Sequence, residues 1–315
     1  MTASAEPQAH APSPLRIPDF YIVGHPKSGT TALYEMLRRH PQIFMPDLKE
    51  PRWFASDLRE RFQAHGSPVH PQTLEEYAAL FEPAGAEQLV GEASPSYLRS
   101  RVAAEEIARL RPDARIVAVL REPAGFLRSM HLEMLQNRVE EETDLRRAIA
   151  QEEVVGPDGT ALLRYTDRVA YVEQLRRYEE RFGPEQVLVL IYDDFRADNE
   201  GTVRAVLRFL DVDAEVPIEP VEANPSVRVR SLRRDDAVRA VHAGRGPLGR
   251  GAKAAGALVP GRIRAGVRRR FLYADPEPPD PELMAELRRR FRPEVVALGR
   301  HLNRDLVSLW GYDEL

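Results

Sequence analysis

The amino-acid sequence predicts an α/β fold, in which a doubly wound parallel sheet is flanked by helices. Three short apolar segments indicate strands buried on both faces, because they lack the alternation of a half-exposed strand. They are residues 19–24, 115–120 and 187–192. Segments with apolar residues at helical spacing lie between them, and strands that alternate with helices in this way are typical of a doubly wound sheet.

The predicted helices connect these strands. Residues 30–40 carry apolar side chains at helical spacing, and Pro41 ends that helix. A second helix begins at about Pro123, and a third covers residues 165–182, directly before the last strand. Residues 281–303 predict one or two closing helices. The first strand, the glycine-containing loop after it and the first helix together form the opening unit of a parallel α/β sheet.

The 315 residues suffice for one large domain, which we place at residues 19–315. Residues 1–18 are rich in Ala, Pro and Ser and predict a disordered lead-in. Residues 226–270 form a basic insert with thirteen Lys or Arg residues and two Asp. This insert is either a solvated basic segment or an anion-binding flap over a phosphate-rich ligand.

The composition excludes several classes of protein. A net charge of −4 gives no global basic excess, so we expect no nucleic-acid partner. The absence of cysteine excludes disulfides, cysteine zinc sites and thiol nucleophiles, and it fits a cytoplasmic location. No apolar run reaches the roughly 18 residues of a membrane span. The sequence does not predict an oligomeric state.

A phosphate loop follows the first strand. Residues 24–31 have the glycine spacing G-x-x-x-x-G of a P-loop, and Thr31 occupies the Ser/Thr position. Gly29, Ser28 and Thr30 place backbone N–H groups and hydroxyls before a helix N-terminus, which favours an anion. The lysine departs from the nucleotide-hydrolase pattern because it lies inside the loop, at Lys27. From there its ammonium can reach a bridging oxygen of a 5′-phosphate.

A second anion site is predicted at the end of the next strand. An ATPase or kinase would place a Mg²⁺-binding carboxylate at a strand end, whereas residues 116–120 are followed by Arg121. Ser129, on the next helix, adds a hydroxyl for a second phosphate. We expect no metal site. Asp193 and Asp194 do follow a strand, so a small-molecule or nucleoside kinase stays an alternative.

These two segments together resemble the sulfotransferases that use 3′-phosphoadenosine 5′-phosphosulfate (PAPS). Residues 26–31, beginning with Pro26, match the family's 5′-phosphosulfate loop P-K-S-G-T-T in full, and Arg121 and Ser129 keep the spacing of its 3′-phosphate motif. Three further segments are similar to the glycan-sulfotransferase-like branch found in bacteria. They are 49–54 (K-E-x-x-F-F), 91–97 (E-K-T-P-x-Y) and 280–310 (D-P-x-L and a closing Trp).

The sequence also departs from the family. Ala93 replaces a lysine common in the E-K-T-P segment, and a Lys-Gly-Arg donor loop is absent before residue 280. Basic residues that could replace that loop lie at 228–234 or 268–270.

The resemblance implies that the chain binds PAPS and transfers its sulfuryl group to a hydroxyl or amine of a glycan or small-molecule acceptor. It assigns Lys27 to the departing 5′-phosphate and Glu50 to proton removal from the acceptor. Because Pro51 favours extended backbone at Glu50, we expect the Lys49 side chain to point away from it. Glu92 is the second candidate for the base. A non-catalytic phosphonucleotide-binding protein is the remaining alternative.

Overall fold

The fold is built on a five-stranded parallel sheet with the order β2-β3-β1-β4-β5. The computed structural model describes residues 15–60, 71–86, 88–137, 139–151, 165–221, 228–229, 273–274 and 276–314. The strands are β1 (Phe20–Gly24), β2 (Ile43–Phe44), β3 (Leu89–Ala93), β4 (Arg115–Leu120) and β5 (Val187–Ile191). β1 pairs with β3 on one side and with β4 on the other, in parallel register throughout. The predicted α/β class is therefore confirmed.

Helices cover both faces of the sheet. They are α1 (Thr30–Arg38), α2 (Leu74–Ala79), α3 (Ala103–Leu110), α4 (Pro123–Asn137), α5 (Leu145–Ala150), α6 (Tyr171–Phe182), α7 (Tyr192–Ala197), α8 (Asn199–Phe209), α9 (Pro281–His301) and α10 (Leu306–Leu309). Phe20 and Ile22 of β1 pack with residues of α1 and α8. Tyr21 and Val23 face the other way, into a core built from α3, α4, α6 and α9. This alternation places β1 at the centre of a doubly wound sheet, with its carboxyl end at the crevice where such folds bind ligands.

The predicted boundaries of the last strand and of the helix before it are wrong. The last predicted strand ends at Ile191, because Tyr192 already begins α7. The helix predicted over 165–182 begins at Tyr171, since residues 166–168 form a short 3₁₀ turn and Val169 turns into the core. The predicted strand 115–120 and the helix start at Pro123 are confirmed.

The closing segment is one long helix followed by a short one. Asp280 caps α9, as its Oδ1 accepts hydrogen bonds from the backbone N–H groups of Glu282 (3.0 Å) and Leu283 (3.4 Å). Beyond α10, the Trp310 indole Nε1 donates to Asp193 Oδ2 at 2.9 Å. The Tyr312 hydroxyl donates to Glu122 Oε1 at 2.6 Å. These contacts bring the residues around 310 to the carboxyl ends of β4 and β5.

The proposed lead-in and insert fall largely outside the described residues. Of the lead-in, residues 1–14 lie outside the described part of the chain, whereas residues 15–18 belong to it. The Arg16 guanidinium donates hydrogen bonds to the carbonyl oxygens of Ala84, Gly85 and Gln88, so the disorder predicted up to residue 18 is wrong for this stretch. Of the basic insert 226–270, the structure describes only residues 228–229, which pair with 273–274 as strands β6 (Arg228–Val229) and β7 (Tyr273–Ala274). No described helix is both long and apolar enough to cross a membrane.

Candidate active site

The phosphate loop runs from the carboxyl end of β1 to the N-terminus of α1. Gly24 has φ 143°, and a Cβ there would lie 2.4 Å from the Val119 carbonyl oxygen of β4. Gly29 has φ 82°, and its Cβ would lie 2.9 Å from the Phe195 ring of α7. Both positions therefore require glycine, for conformation and for space. The His25 N–H donates to the Val119 carbonyl at 3.1 Å and fixes the loop against the sheet.

Lys27 adopts a strained conformation within this loop. Its φ of 61° lies in the left-handed region, which a residue with a long side chain seldom adopts. The Arg121 guanidinium holds it there by donating a hydrogen bond from Nη1 to the Lys27 carbonyl oxygen at 2.7 Å. Burial lowers the pKa of the Lys27 ammonium, and the nearby Arg121 charge adds to this, whereas Glu133 opposes it.

The loop also contains a buried polar atom that suits an anion. Ser28 is 0% exposed, and its Oγ makes no hydrogen bond within the part of the chain that the structure describes. A buried hydroxyl without a hydrogen bond in the protein is expected to bind a ligand or a water molecule, since buried polar groups nearly always have a hydrogen-bond partner. Thr30 is buried and Thr31 is half-buried at the start of α1. The loop thus fits the phosphosulfate end of PAPS, with a hydroxyl, a helix N-terminus and an ammonium.

The predicted second anion site lies beside this loop. Arg121 follows β4, and its guanidinium lies over the Tyr192 ring with 4.7 Å between the guanidinium carbon and the ring centroid. Ser129, 3% exposed, lies on α4. The structure adds Arg128, which the sequence interpretation missed: burial lowers its pKa, and so does the neighbouring Arg121 charge. No carboxylate forms an ion pair with Arg121 or Arg128 in the part of the chain that the structure describes, so there the two cations lie together without an ion-pair partner.

Glu50 differs from the prediction in two respects. Its φ of 60° is left-handed and not extended. As a result the Lys49 Nζ lies 2.7 Å from Glu50 Oε1, although its side chain was expected to point away. The Arg52 guanidinium reaches Glu50 Oε2 at 2.6 Å from the other side. Burial alone would raise the pKa of Glu50, but the charges and hydrogen bonds of Lys49 and Arg52 hold the pKa below its usual value.

A second carboxylate in this region, Glu133, was also missed. It lies on α4, one turn beyond Ser129, so the two side chains share a helix face. Burial raises its pKa; Lys27 lowers it and Glu50 raises it further. These interactions place Glu133 near Lys27 and Glu50. Helical spacing from Ser129 was the available signal for Glu133. For Arg128 the only signal was that it directly precedes Ser129 in the sequence.

Glu92, the second candidate for the base, does not line the site. It lies on β3 and is 0% exposed. Its Oε2 accepts hydrogen bonds from the hydroxyls of Tyr77 (2.7 Å) and Tyr97 (2.9 Å). Burial, opposed by the hydroxyls of Ser94, Tyr77 and Tyr97, raises the pKa of Glu92 to about 7. A group so enclosed cannot take a proton directly from an acceptor.

The carboxylates on which the kinase alternative depends are engaged elsewhere. Asp194 forms a two-point ion pair with the Arg304 guanidinium. Asp193 accepts the hydrogen bond from Trp310. Among the described residues there is no group of three or more His, Asp or Glu side chains able to hold a metal ion. The structure therefore gives the kinase alternative no support.

Comparison with known proteins agrees with this geometry. Residues 18–216 match the model of the sulfotransferase family. The chain is 25% identical over 252 residues to carbohydrate sulfotransferase 15 of Mus musculus, covering 62% of this chain and 44% of that protein. It is 34% identical over 117 residues to human heparan sulfate glucosamine 3-O-sulfotransferase 6, covering 37% of this chain and 30% of that protein. The chain thus spans less than half the length of these curated relatives.

A solved structure shares the fold over nearly the whole chain. The crystal structure of a sulfotransferase from Alicyclobacillus acidocaldarius superposes with a TM-score of 0.68 at 24% identity, covering 94% of this chain and 99% of that one. Because the family model matches more than half of the sequence, this chain belongs to the sulfotransferase family.

Proposed function

We propose that this protein transfers the sulfuryl group of PAPS to a hydroxyl or amine of a glycan or small-molecule acceptor. The observation that carries the proposal is the loop at residues 26–31, which presents Lys27 and the Ser28 hydroxyl at a helix N-terminus. That hydroxyl has no hydrogen-bond partner among the described residues. Such a loop supplies positive potential for a 5′-phosphosulfate without a metal ion. Curated relatives named as carbohydrate and heparan sulfate sulfotransferases support a glycan acceptor.

The donor would be held at both phosphates. Pro26, Lys27, Ser28, Gly29, Thr30 and Thr31 would bind the 5′-phosphosulfate. Arg121 and Ser129, with Arg128 beside them, would bind the 3′-phosphate. An arginine fork is suited to this task because it offers several donors to the phosphate oxygens at once. The hydrogen bond from Arg121 to the Lys27 carbonyl then keeps the two phosphate sites at a fixed separation.

In the transfer step the acceptor oxygen or nitrogen forms a bond to sulfur while the bond from sulfur to the 5′-phosphate oxygen breaks. The electron pair of the broken bond stays on that phosphate oxygen, and the Lys27 ammonium offsets the charge that grows there. The Glu50 carboxylate takes the acceptor proton. Lys49 and Arg52 keep Glu50 ionised at neutral pH, so it is in its basic form when the acceptor binds.

Donor binding tests the first half of this proposal. Adenosine 3′,5′-bisphosphate should raise the melting temperature, because a ligand that binds only the folded state stabilises it. ATP with Mg²⁺ should raise it much less, since ATP lacks a 3′-phosphate. Equal stabilisation by the two nucleotides would contradict the two-phosphate site.

Transfer tests the second half. The protein and its Lys27→Ala variant are incubated with ³⁵S-labelled PAPS and a panel of de-N-sulfated heparan sulfate, unsulfated chondroitin, glucosamine and p-nitrophenol. Labelled product with the parental protein alone supports transfer. Tight bisphosphate binding without product from any acceptor would favour the non-catalytic alternative.

A cytoplasmic location is also part of the proposal, supported by the absence of cysteine. Fractionation of the source cells tests this location.

A further inference from the structure

The segment that carries Glu50 is held in a strained backbone conformation. Both Glu50 and Arg52 have positive φ, 60° and 55°, although neither is glycine. Such a conformation is energetically unfavourable for a residue with a side chain and persists only where the surrounding structure enforces it. The same conformation brings Lys49 and Arg52 onto the two oxygens of Glu50. The orientation of the Glu50 carboxylate therefore depends on whatever enforces the backbone of residues 50–54.

Three hydrogen bonds, at alternate residues, enforce it. The Glu50 N–H donates to the Ala93 carbonyl at 3.1 Å. The Arg52 N–H donates to Ser94 Oγ at 3.1 Å, and the Phe54 N–H donates to the Tyr97 hydroxyl oxygen at 3.3 Å. All three acceptors belong to residues 93–97, which follow Glu92 directly. The strained segment is thus bound along its length to the end of β3.

Glu92 organises the last of these contacts. The Tyr97 hydroxyl has one proton, which it donates to Glu92 Oε2 at 2.9 Å. Because that proton points at the carboxylate, the hydroxyl oxygen presents a lone pair to the Phe54 N–H. Tyr77 donates to the same Oε2 at 2.7 Å but forms no hydrogen bond with residues 50–54. Both tyrosine rings pack on the Phe54 ring, with 5.3 Å (Tyr77) and 5.8 Å (Tyr97) between centroids. The two hydroxyls differ in that only the Tyr97 hydroxyl also accepts a backbone N–H of the strained segment.

We propose that Glu92 and Tyr97 are positioning residues, which hold the backbone of residues 50–54 and thereby aim the Glu50 carboxylate at the acceptor. This inference rests on the proposed role of Glu50 as the base. Neither residue touches the substrate, because both are fully buried.

The surroundings of Glu92 are unfavourable for stability, which supports a functional role. Its carboxyl group faces the phenols of Tyr21, Tyr77 and Tyr97, and the negative Glu50 lies beyond. No described cation forms an ion pair with it. A buried carboxyl without a cation costs folding free energy that an apolar residue of similar size would not. In this protein the carboxyl sets the direction of the Tyr97 hydroxyl, which an apolar residue could not do.

The matched variants Tyr97→Phe and Tyr77→Phe test the proposal. Each removes one buried hydroxyl from the same carboxyl oxygen, and Tyr97→Phe also leaves the Phe54 N–H without its acceptor, so the melting temperature should fall in both variants and further in Tyr97→Phe. Amide hydrogen exchange at Phe54 should accelerate about tenfold or more in Tyr97→Phe and stay near the parental rate in Tyr77→Phe. With the acceptor that gives most product in the panel above, kcat should fall about tenfold in Tyr97→Phe alone. The KM for PAPS should stay unchanged in both variants.

A double variant separates this inference from the proposed base. In a Glu50→Gln background, Tyr97→Phe should slow transfer no further, because it acts through a carboxylate that is no longer there. Additive losses, or equal effects of the two tyrosine variants, would overturn the positioning role. Parental transfer by Glu50→Gln would instead refute Glu50 as the base, while the exchange rate at Phe54 would still report whether Tyr97 holds the segment.

Discussion

Arg121 and Lys27 are joined by a hydrogen bond of 2.7 Å, from the guanidinium of one to the backbone carbonyl of the other. The bond connects the loop after β1 to the loop after β4, and each loop carries one of the two proposed phosphate sites. A side chain from the second site thereby supports the strained backbone of the first. Donor binding at the two sites should therefore be coupled.

Lys27→Ala should reduce transfer by about 100-fold or more, because a preorganised charge that acts on the leaving oxygen is lost. Lys27→Arg should recover only part of the rate, since a planar guanidinium is larger than an ammonium and the loop is closely packed. Steady-state rates with labelled PAPS check both variants. Arg109→Ala, on the exposed side of α3, is the control and should keep the parental rate.

Glu50→Gln should slow transfer by about 10² to 10⁴-fold and leave bisphosphate affinity within about threefold. Since Lys49 and Arg52 lower the pKa of Glu50, the proposed base stays ionised in mild acid. The parental kcat should consequently hold as the pH falls from 7 to about 5 and decline only below that. A rate profile at saturating donor checks this. A decline centred near neutral pH would mean that another group accepts the proton, or that protonation of Glu92, whose pKa is raised to about 7, disturbs the position of Glu50.

Arg128→Gln should weaken adenosine 3′,5′-bisphosphate binding by about tenfold, the effect of losing one charge-assisted contact. Binding of adenosine 5′-phosphate, which lacks the 3′-phosphate, should change little. Isothermal titration of both nucleotides against the parental protein and the variant makes the comparison. If both affinities fall equally, Arg128 supports the fold near Glu277, whose carbonyl it contacts, and does not select the 3′-phosphate.

Glu92 should make the stability of the protein depend on pH. Its folded-state pKa of about 7 lies above the ordinary value of 4.5, so the folded state binds more protons than the unfolded state between these two values. Stability should therefore fall as the pH rises from about 5 to 7, by about 3 kcal/mol at most. Glu92→Gln imitates the protonated carboxyl and should lack this dependence. Denaturant unfolding of both proteins at pH 5 and pH 8 measures the difference. Parallel pH profiles would show that Glu92 keeps an ordinary pKa.

The sequence alone was sufficient to predict those parts of the fold and the site that local patterns determine. The continuous apolar run 115–120 and the proline that opens α4 locate Arg121 and Ser129 on their elements, and the glycines at 24 and 29 locate the phosphate loop. β3 was recognised only as a motif, because Gly91 and Glu92 interrupt its apolar pattern. The pattern gave no indication that Glu92 is fully enclosed.

The surroundings of Glu50 could not be predicted from neighbours in sequence. Whether Lys49 faces Glu50 depends on a positive φ, and that angle is imposed by acceptors about forty residues away at Ala93 and Ser94. The general preference of residues before proline was overridden by these tertiary contacts. Local preference describes the segment in isolation, whereas the site is defined by contacts that only the folded sheet provides.

Glu122 serves two distant parts of the chain with one carboxylate. Its oxygens accept the N–H groups of Ala124 (2.9 Å) and Gly125 (2.5 Å), which close the start of α4, and Oε1 also accepts the Tyr312 hydroxyl at 2.6 Å. The segment around Tyr312 and the first turn of α4 should therefore open together, as one cooperative unit. Arg121, part of the proposed 3′-phosphate site, is the residue next to Glu122. The free energy of local unfolding near residue 312 therefore limits the stability of the ordered conformation of that site.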